Sequence, residues 1–233
     1  MRTRSARMGS VMPEYYDTLT ESEFHAMEDR AGLLDCPDLR KLREMAADRF
    51  PADRPLEYLE IGIGTGRVVR WLLNNLPRPK VVGIDNCRAH VKKAIGEFKR
   101  RAKFLHLDVL KLRESGRFDV VLWLFSGLAE MSPDRRVEAF QRIRAALRPS
   151  GAFLLDMVVT VPLDQVRESK VDDGYCEVVN ASGARLSLHV PIPAQIEEYA
   201  KAAGLALRTS CLDFQPKGDR RRFLAVFEPD LAR

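Results

Sequence analysis

The most constraining feature of the chain is a glycine-rich turn that follows a short apolar run. Residues 56–61 have the composition of a strand, and three glycines follow at alternate positions, Gly62, Gly64 and Gly66. Glycine lets the backbone turn sharply and leaves room for a ligand where a side chain would otherwise stand. Residues 68–76 then show the periodicity of an amphipathic helix. A strand, a glycine turn and a helix in this order predict a ligand-binding crossover in an open α/β sheet.

Two details of this turn narrow the kind of ligand. The spacing is G-x-G-x-G, and Arg67 occupies the position where the dinucleotide fingerprint G-x-G-x-x-G has its last glycine. Glu60 lies at the carboxyl end of the strand, the edge at which such sheets bind ligands. The run resembles the first motif of the class I S-adenosylmethionine-dependent methyltransferases rather than a nicotinamide site. This resemblance implies that Glu60 lies near the amino-acid part of the cofactor and that the backbone at Gly62 binds its ammonium group.

Two further motifs contain the acids that the resemblance assigns to the nucleoside part of the cofactor. The segment Val-Val-Gly-Ile-Asp-Asn-Cys ends a strand with Asp85, which the resemblance places on the two ribose hydroxyls, next to Asn86. The segment Phe-Leu-His-Leu-Asp-Val supplies Asp108, which the family position assigns to the adenine amino group, and Val109. Each acid also has a structural explanation, because Asp85 could cap the following helix and Asp108 could simply end a strand.

The fourth and fifth motifs concern the methyl group and its acceptor. Residues 118–130 resemble the strand and loop beneath the methionine part of the cofactor, which includes Leu124, and residues 147–157 resemble the segment beside the acceptor. Upstream, Tyr16 lies in a Tyr-Tyr-Asp sequence similar to the start of many small-molecule methyltransferases, where an aromatic ring covers the sulfonium. Adjacent tyrosines could equally be anchors to the core. The resemblance as a whole implies S-adenosylmethionine as cofactor and methyl transfer as the reaction.

A general base is required only if the acceptor must lose a proton. The candidates that we expect to face the cleft are Asp156, Tyr175 and Glu130, with His189 as a weaker one. Asp156 is the first choice, because a carboxylate inside an otherwise apolar strand is costly unless it has a partner. His189, at the end of a predicted strand, is more often a packing residue.

The alternation of strands and helices predicts an α/β fold with a mostly parallel sheet whose last two strands are antiparallel to each other. The family resemblance implies a Rossmann-like, seven-stranded sheet with an antiparallel last strand and helices on both faces. The predicted strands are residues 56–61, 80–84, 103–107, 119–124, 152–159, 205–212 and 222–227. The predicted helices of the sheet domain are residues 68–76, 88–100, 133–147 and 193–203. We expect residues 1–14 to be a disordered leader, 15–52 an N-terminal helical lid with two helices, and 53–233 the cofactor-binding domain. A β-hairpin insertion is predicted at about residues 171–190.

The net charge and the number of cysteines limit the kinds of partner and the cellular compartment that we expect. The net charge is +5, and part of it lies in a basic segment at residues 92–103, but no stacking aromatics are interleaved with it. Four dispersed cysteines favour neither a zinc site nor a disulfide framework, so we expect no metal and a reducing cytoplasm. No apolar run has the length of a membrane helix. We therefore expect a small-molecule substrate, with nucleic acid and membrane disfavoured and a homodimer left open.

The leading function is methyl transfer to an amine, carboxylate or hydroxyl of a small metabolite. A second interpretation keeps the cofactor and changes the reaction, with the methionine amine closing on its own γ-carbon to give azetidine-2-carboxylate and methylthioadenosine. Tyr175 with Asp156 could form a pocket for that chemistry. A third is an RNA-directed methyltransferase that uses the basic segment, and a fourth is a cofactor-binding protein without activity. The fourth is disfavoured because the glycine turn, Glu60 and Asp85 are all present.

Overall fold

A computed structural model describes residues 12–51, 53–159, 168–170, 174–179, 182–217 and 221–231. The helices are α1 (Met12–Asp17), α2 (Glu21–Arg30), α3 (Pro37–Met45), α4 (Arg67–Asn75), α5 (Arg88–Phe98), α6 (Arg136–Ala146) and α7 (Pro193–Ala202). The strands are β1 (Glu57–Ile61), β2 (Lys80–Asp85), β3 (Lys103–His106), β4 (Phe118–Trp123), β5 (Leu147–Val158), β6 (Glu168–Lys170), β7 (Tyr175–Val179), β8 (Arg185–His189), β9 (Leu205–Phe214) and β10 (Arg222–Pro229).

The main sheet has the predicted form. Among the described residues it contains seven strands in the order β3-β2-β1-β4-β5-β10-β9. The first five strands are parallel, and β10 lies antiparallel to both β5 and β9. The strand order reverses between β1 and β4, which is the position at which open α/β sheets bind ligands. The predicted seven-stranded, mostly parallel fold is therefore confirmed.

Each face of the sheet carries its own apolar core. Along β4, Val121 and Trp123 contribute to one core, whereas Val120 and Leu122 contribute to the other, as the alternation of a strand requires. Helices α6 and α7 cover the first face, and α3, α4 and α5 cover the second. Because Leu39 and Leu42 of α3 are fully buried in the second core, α3 belongs to the main domain rather than to a separate lid.

The N-terminal helices follow local signals in the sequence. Helix α2 begins with a capping box in which Thr20 and Glu23 bond reciprocally, and α3 has Pro37 in its first turn. The predicted leader is only partly testable, since residues 1–11 lie outside the described residues. Residues 12–14 belong to helix α1, so the boundary predicted at residue 14 is wrong by one helical turn.

A second, small sheet follows β5. Strands β6, β7 and β8 are antiparallel in that order. The β7–β8 hairpin was predicted, but β6 was not, and the insertion begins no later than residue 168 rather than at 171. Residues 171–173 and 180–181 lie outside the described residues. Helix α1 contacts β8, so this small sheet and α1 lie on the same side of the molecule.

All four cysteines lie in described segments, and each is a free thiol. Over the part of the chain that the structure describes, no helix combines the length and apolar character needed to cross a bilayer.

Candidate functional site

A cavity of about 860 Å³ opens at the carboxyl ends of β1, β2, β3 and β4. Sites for small ligands and cofactors usually measure about 300–1,000 Å³, so this cavity lies toward the upper end of that range. Residues of the predicted cofactor set that line it are Tyr16, Glu60, Gly62, Gly64, Asp85, Asn86, Asp108, Val109 and Leu124. The structure thus brings together residues from four strand ends and from helix α1, although their roles as cofactor contacts remain predictions.

Gly66, the last glycine of the motif, does not line the cavity. It adopts a φ of +77°, and a Cβ added to it would lie 2.6 Å from the Phe98 ring. Its amide donates to the carbonyl of Ile63, which closes the turn. Gly62 differs, because its φ is +74° but an added Cβ would meet nothing within 4 Å. Gly66 is therefore explained by the turn and by packing, whereas Gly62 leaves its backbone open toward the cavity.

Asp85 holds the glycine turn and the next helix in place. Its Oδ2 accepts a hydrogen bond from the Gly64 amide at 3.0 Å, and its Oδ1 accepts one from the Cys87 amide at 2.7 Å. Nδ1 of His90 lies 3.3 Å from Oδ2. Burial lowers the pKa of His90, but hydrogen bonds to Asp85 and Cys87 outweigh it and raise that pKa to about 10. Sequence reasoning missed His90, although its place in the first turn after the Asp85 motif was available as a signal.

Four rings from distant parts of the chain meet beside the glycine turn. The ring centroids of Tyr16 and Phe24 are 5.7 Å apart, and His90 lies 5.6 Å from Tyr16 and 5.5 Å from Phe24. Phe125, in the loop after β4, lies 6.1 Å from Phe24. These residues come from α1, α2, α5 and the β4 loop, and all four line the cavity. No local sequence signal would have selected Phe24 or Phe125, because their proximity depends on the tertiary fold.

Glu130 is the one predicted catalytic candidate that lines the cavity. The hydroxyl of Tyr16, 114 residues away, donates a short hydrogen bond to its Oε1. Burial raises the pKa of Glu130 to about 7, with the hydrogen bond from Tyr16 opposing and the charge of Asp85 adding to the rise. Burial and the nearby Glu130 raise the pKa of Tyr16 well above its ordinary value. A carboxyl with a pKa near neutrality can both accept and release a proton.

Glu60 is buried without a complete set of partners. Only 3% of it is exposed, and its Oε2 has no hydrogen-bond partner among the described residues. Burial raises its pKa well above the ordinary value, although the charge of Arg67 opposes this. Leaving a buried carboxyl oxygen unpaired is costly. Since Glu60 lines the cavity next to Gly62, a donor such as an ammonium group would complete its environment.

Arg67, the departure from the dinucleotide fingerprint, ties α3 and α2 to the turn. It is 5% exposed and binds both carboxylate oxygens of Asp38, at 3.0 and 2.6 Å. The hydroxyl of Thr65, inside the turn, donates to Glu28 of α2 at 2.9 Å. Arg67 Nε also lies 3.4 Å from Glu28. A glycine at position 67 could not make these contacts, and this explains in physical terms why arginine occupies it.

Asp156 does not line the cavity, so the expectation that it faces the cleft is wrong. It is 0% exposed and forms two hydrogen bonds of 2.6 Å with Arg222, which is 2% exposed. Its Oδ2 also accepts from the amide of Phe125 at 3.0 Å. The cost of the buried carboxylate is offset by this arginine on the neighbouring strand β10 and not by a role in catalysis.

The Asp156–Arg222 pair holds the loop after β4. Phe125 and Ser126 both have positive φ values, 60° and 64°, which are uncommon for residues other than glycine. Arg222 donates to Oγ of Ser126 at 3.0 Å, and that oxygen also accepts from the Val158 amide at 2.8 Å. The pair therefore stabilises the loop after β4, which has the positive φ values and contributes Phe125 to the cavity.

Tyr175 also lies away from the cavity, which contradicts its prediction as a cleft residue. It belongs to β7 of the small sheet, where its ring packs edge-on against His189 at 5.0 Å and its hydroxyl lies 3.3 Å from Oγ of Ser187. Neither Tyr175 nor His189 borders the cavity. Tyr175 and Asp156, suggested together as a pocket for cyclisation, both lie outside the residues that line this cavity.

In the described segments, no three His, Cys, Asp or Glu side chains are arranged to hold a metal ion.

Comparison with known proteins agrees with this architecture. Residues 59–151, from β1 into the start of β5, match a family model described as a methyltransferase domain. The fold is similar to that of 1,6-didemethyltoxoflavin-N1-methyltransferase from Burkholderia thailandensis, with 20% identity, a TM-score of 0.66 and coverage of 94% of this chain and 87% of that one. The CcbJ methyltransferase from Streptomyces caelestis gives 20% identity, a TM-score of 0.64 and coverage of 95% and 97%.

A further similar structure is that of the cyclase SpnF, with 17% identity, a TM-score of 0.62 and coverage of 81% of this chain and 80% of that one. At such identities these likenesses show the fold alone. The matched domain contains the glycine turn, Asp85, Asp108 and Glu130, and the sheet around it has the strand order expected for the same family. Residues 59–151 thus match a methyltransferase domain, and the chain is similar in fold to S-adenosylmethionine-dependent methyltransferases.

Proposed function

We propose that the protein transfers the methyl group of S-adenosylmethionine to a small-molecule acceptor bound in the 860 Å³ cavity. The observation that carries the proposal is Glu60. A buried carboxyl oxygen without a partner, directly before a glycine turn whose backbone is open, fits the ammonium group of the cofactor's amino-acid part.

The other predicted contacts are distributed along the cavity as this proposal requires. Asp85 lies at the end of β2, where its carboxylate is positioned by the amides of Gly64 and Cys87 to accept the ribose hydroxyls. Asp108 and Val109, after β3, would contact the adenine ring. Oδ1 of Asp108 accepts from the Leu110 amide at 2.9 Å, which fixes the carboxylate at the cavity wall. Binding at three strand ends orients the ligand along the edge of the sheet.

The cofactor, when bound, supplies an electrophilic methyl group on sulfur. Because this displacement proceeds in line, the residues around it contribute mainly by alignment, which can be worth about 7–11 kcal/mol. Tyr16, Phe24 and Phe125 restrict the space above the glycine turn and exclude water. Glu130 accepts the proton that the acceptor loses, and the Tyr16 hydroxyl holds its carboxyl in orientation. General-base help of this kind contributes about 10²–10⁴-fold.

A small-molecule acceptor is supported by the form of the site, which is a cavity at the edge of the sheet. Tyr16 of α1 and Phe24 of α2 border the cavity, and the structurally similar enzyme from Burkholderia thailandensis acts, by its name, on 1,6-didemethyltoxoflavin. The RNA-directed alternative depends on free positive charge in the basic segment at residues 92–103. It is less favoured because Lys93 of that segment is already paired with Glu21 at 2.6 Å. The four free thiols fit the reducing cytoplasm that we propose as the location.

Isothermal titration with S-adenosylhomocysteine tests the proposed function. We expect binding by the wild-type protein and a clear loss of affinity in Glu60→Gln, which keeps the shape of the side chain and removes its charge. The matched control is Glu44→Gln, an exposed acid of α3 that pairs with Lys41 and does not line the cavity. Absence of binding to S-adenosylhomocysteine and S-adenosylmethionine in the wild-type protein would refute the proposal.

The by-product distinguishes methyl transfer from cyclisation of the cofactor. Incubation with S-adenosylmethionine alone should release no methylthioadenosine, because an acceptor is required. Release of methylthioadenosine with azetidine-2-carboxylate would establish the cyclase alternative instead.

A further inference from the structure

We propose that the acceptor is an amine, and that Glu130 selects it and takes up its proton. The inference rests on the proposed function, and it narrows the choice among an amine, a carboxylate and a hydroxyl to the first. It is carried by the charge of the cavity, which attracts an ammonium group more than a neutral alcohol and repels a carboxylate, by the open oxygen of Glu130, and by the proton balance of the reaction.

The cavity is acidic although the chain is basic overall, with a net charge of +5. The acids that line it are Glu28, Glu60, Asp85, Asp108, Glu130 and Asp134. The lysines and arginines that line it are Arg67, Lys111 and Arg135. An anionic acceptor would have to approach more acids than free cations. A cationic or neutral nitrogen compound would not meet this repulsion.

Most of the positive charge at the cavity is already paired. Arg67 binds Asp38, which is fully buried behind the wall. Arg135 binds Glu138 at 3.0 Å. The imidazole of His90 lies against Asp85. Within the described part of the chain, Lys111 is the lining lysine or arginine without an acidic partner, and its side chain is exposed. The site therefore offers no arginine or lysine arranged as a clamp for a carboxylate or phosphate.

Glu130 has one oxygen committed and one open. Its Oε1 accepts from the Tyr16 hydroxyl, and among the described residues none donates to Oε2. Tyr16 in turn packs against Phe24 and His90. An amine N–H would complete the hydrogen bonds of Oε2 while its carbon substituents lie against the rings. A carboxylate at the same place would put two carboxylates together, which is unfavourable unless one is protonated.

The proton balance also favours an amine. An ammonium acceptor gives one proton to Oε2 of Glu130, and the freed lone pair forms the N–C bond. The C–S bond breaks with its electron pair on sulfur, which becomes a neutral thioether. A carboxylate acceptor has no proton to give, so Glu130 would have no role. The pKa of Glu130, raised to about 7, suits a proton taken from an ammonium better than one taken from an alcohol, whose pKa is much higher.

The test identifies the bond that the methyl group forms. The enzyme is incubated with methyl-¹³C-labelled S-adenosylmethionine and a small-molecule extract of cells that express the chain naturally. The carbon chemical shift of the new signal distinguishes N-methyl from O-methyl and methyl-ester products. We expect an N-methyl product. An O-methyl or ester product overturns the inference and leaves the proposed function intact, whereas no methylated product, despite cofactor binding, counts against the proposed function itself.

The role of Glu130 is tested separately with the product so identified. Glu130→Gln should lower the rate by about 10²–10⁴-fold near pH 7.5 and abolish the rise in rate through pH 7. Its affinity for S-adenosylhomocysteine should change far less than its rate. Glu44→Gln, outside the cavity, should match the wild type. An unchanged rate or pH profile in Glu130→Gln would overturn the assignment of Glu130.

Discussion

Two regions of this protein bury carboxylates in opposite ways. Between β5 and β10, Asp156 is fully buried and binds Arg222 with two hydrogen bonds of 2.6 Å. At the cavity, Glu60 is also buried but leaves one oxygen without a partner among the described residues. Burial alone therefore does not identify a functional acid. The distinguishing feature is whether the fold itself supplies the partner, since an acid with an incomplete shell is the one that a ligand can complete.

The largest effect should come from breaking the satisfied pair. Arg222→Met leaves the Asp156 carboxylate buried without its counter-ion, and loss of one partner of a buried ion pair costs about 3–5 kcal/mol. The free energy of unfolding, measured by urea denaturation, should fall by that amount. It should also loosen the loop at Phe125 and Ser126, because the same guanidinium holds Ser126.

The matched control is Arg208→Met on the neighbouring strand β9. Arg208 binds Glu228 and Asp48, but its side chain is 31% exposed, and such surface pairs contribute about 0–1 kcal/mol. If the two variants lost equal stability, the contrast between the buried pair and a surface pair would be wrong.

At the cavity, the same kind of change should affect ligand binding more than folding. Asp85→Asn removes the charge that we assign to the ribose hydroxyls, and each charged hydrogen bond contributes about 1.5–3 kcal/mol. Affinity for S-adenosylhomocysteine should therefore fall by roughly 10- to 150-fold in isothermal titration. Asparagine keeps one of the two oxygens that accept from the Gly64 and Cys87 amides, so the unfolding free energy of the same variant, measured by urea denaturation, separates a loss of binding from a loss of folding. Unchanged affinity would show that Asp85 serves only to hold the glycine turn and the start of α5.

The contrast between the two regions also explains what the sequence could predict. The glycine turn and the acids at the ends of β2 and β3 follow from local periodicity and motif spacing, because neighbouring parallel strands bring their carboxyl ends to one edge. The strand order followed from the family resemblance and not from periodicity. Asp156 was misassigned because its partner is 66 residues away on an antiparallel strand. A pattern of local residues contains no information about which distant arginine crosses the sheet.

The same limitation applies to the parts of the site that were missed. Phe24, His90 and Phe125 come together only when α2, α5 and the β4 loop pack around the turn. Glu130 was selected from its motif, but its hydrogen bond to Tyr16 joins helix α1 to a loop more than a hundred residues later. The position of an acid could be predicted from the sequence, whereas its protonation depends on neighbours that only the tertiary structure supplies.

The pH dependence of stability should reveal the strain at the cavity. The folded pKa of Glu130 is raised from 4.5 to about 7, so the folded state holds its proton more tightly than the unfolded state. Between these two values stability must fall as pH rises, and below them the penalty is absent. One pKa unit is worth about 1.36 kcal/mol, and solvent at the half-buried side chain reduces the total to about 1–2 kcal/mol.

Glu130→Gln cannot ionise and should escape this loss. The difference in unfolding free energy between Glu130→Gln and wild type should therefore grow in favour of the variant from pH 4.5 to 7 and then stay constant. Urea denaturation at a series of pH values provides the measurement. Parallel curves for the two proteins would show that Glu130 is not strained in the folded state.

The smallest effect should come from the hydrogen bond that joins the N-terminal helix to this acid. Tyr16→Phe removes the donor to Oε1 of Glu130 but keeps the ring against Phe24 and His90, so the loss of stability should be only about 0.5–1.5 kcal/mol. Because that bond lowers the pKa of Glu130, its loss should move the pH-dependent step upward. The step is read from the same denaturation series. If the pH of this step were the same in Tyr16→Phe and wild type, the Tyr16 hydroxyl would not affect the pKa of Glu130. The contrast between carboxylates with and without a full set of partners would then depend on Asp156 and Glu60 alone.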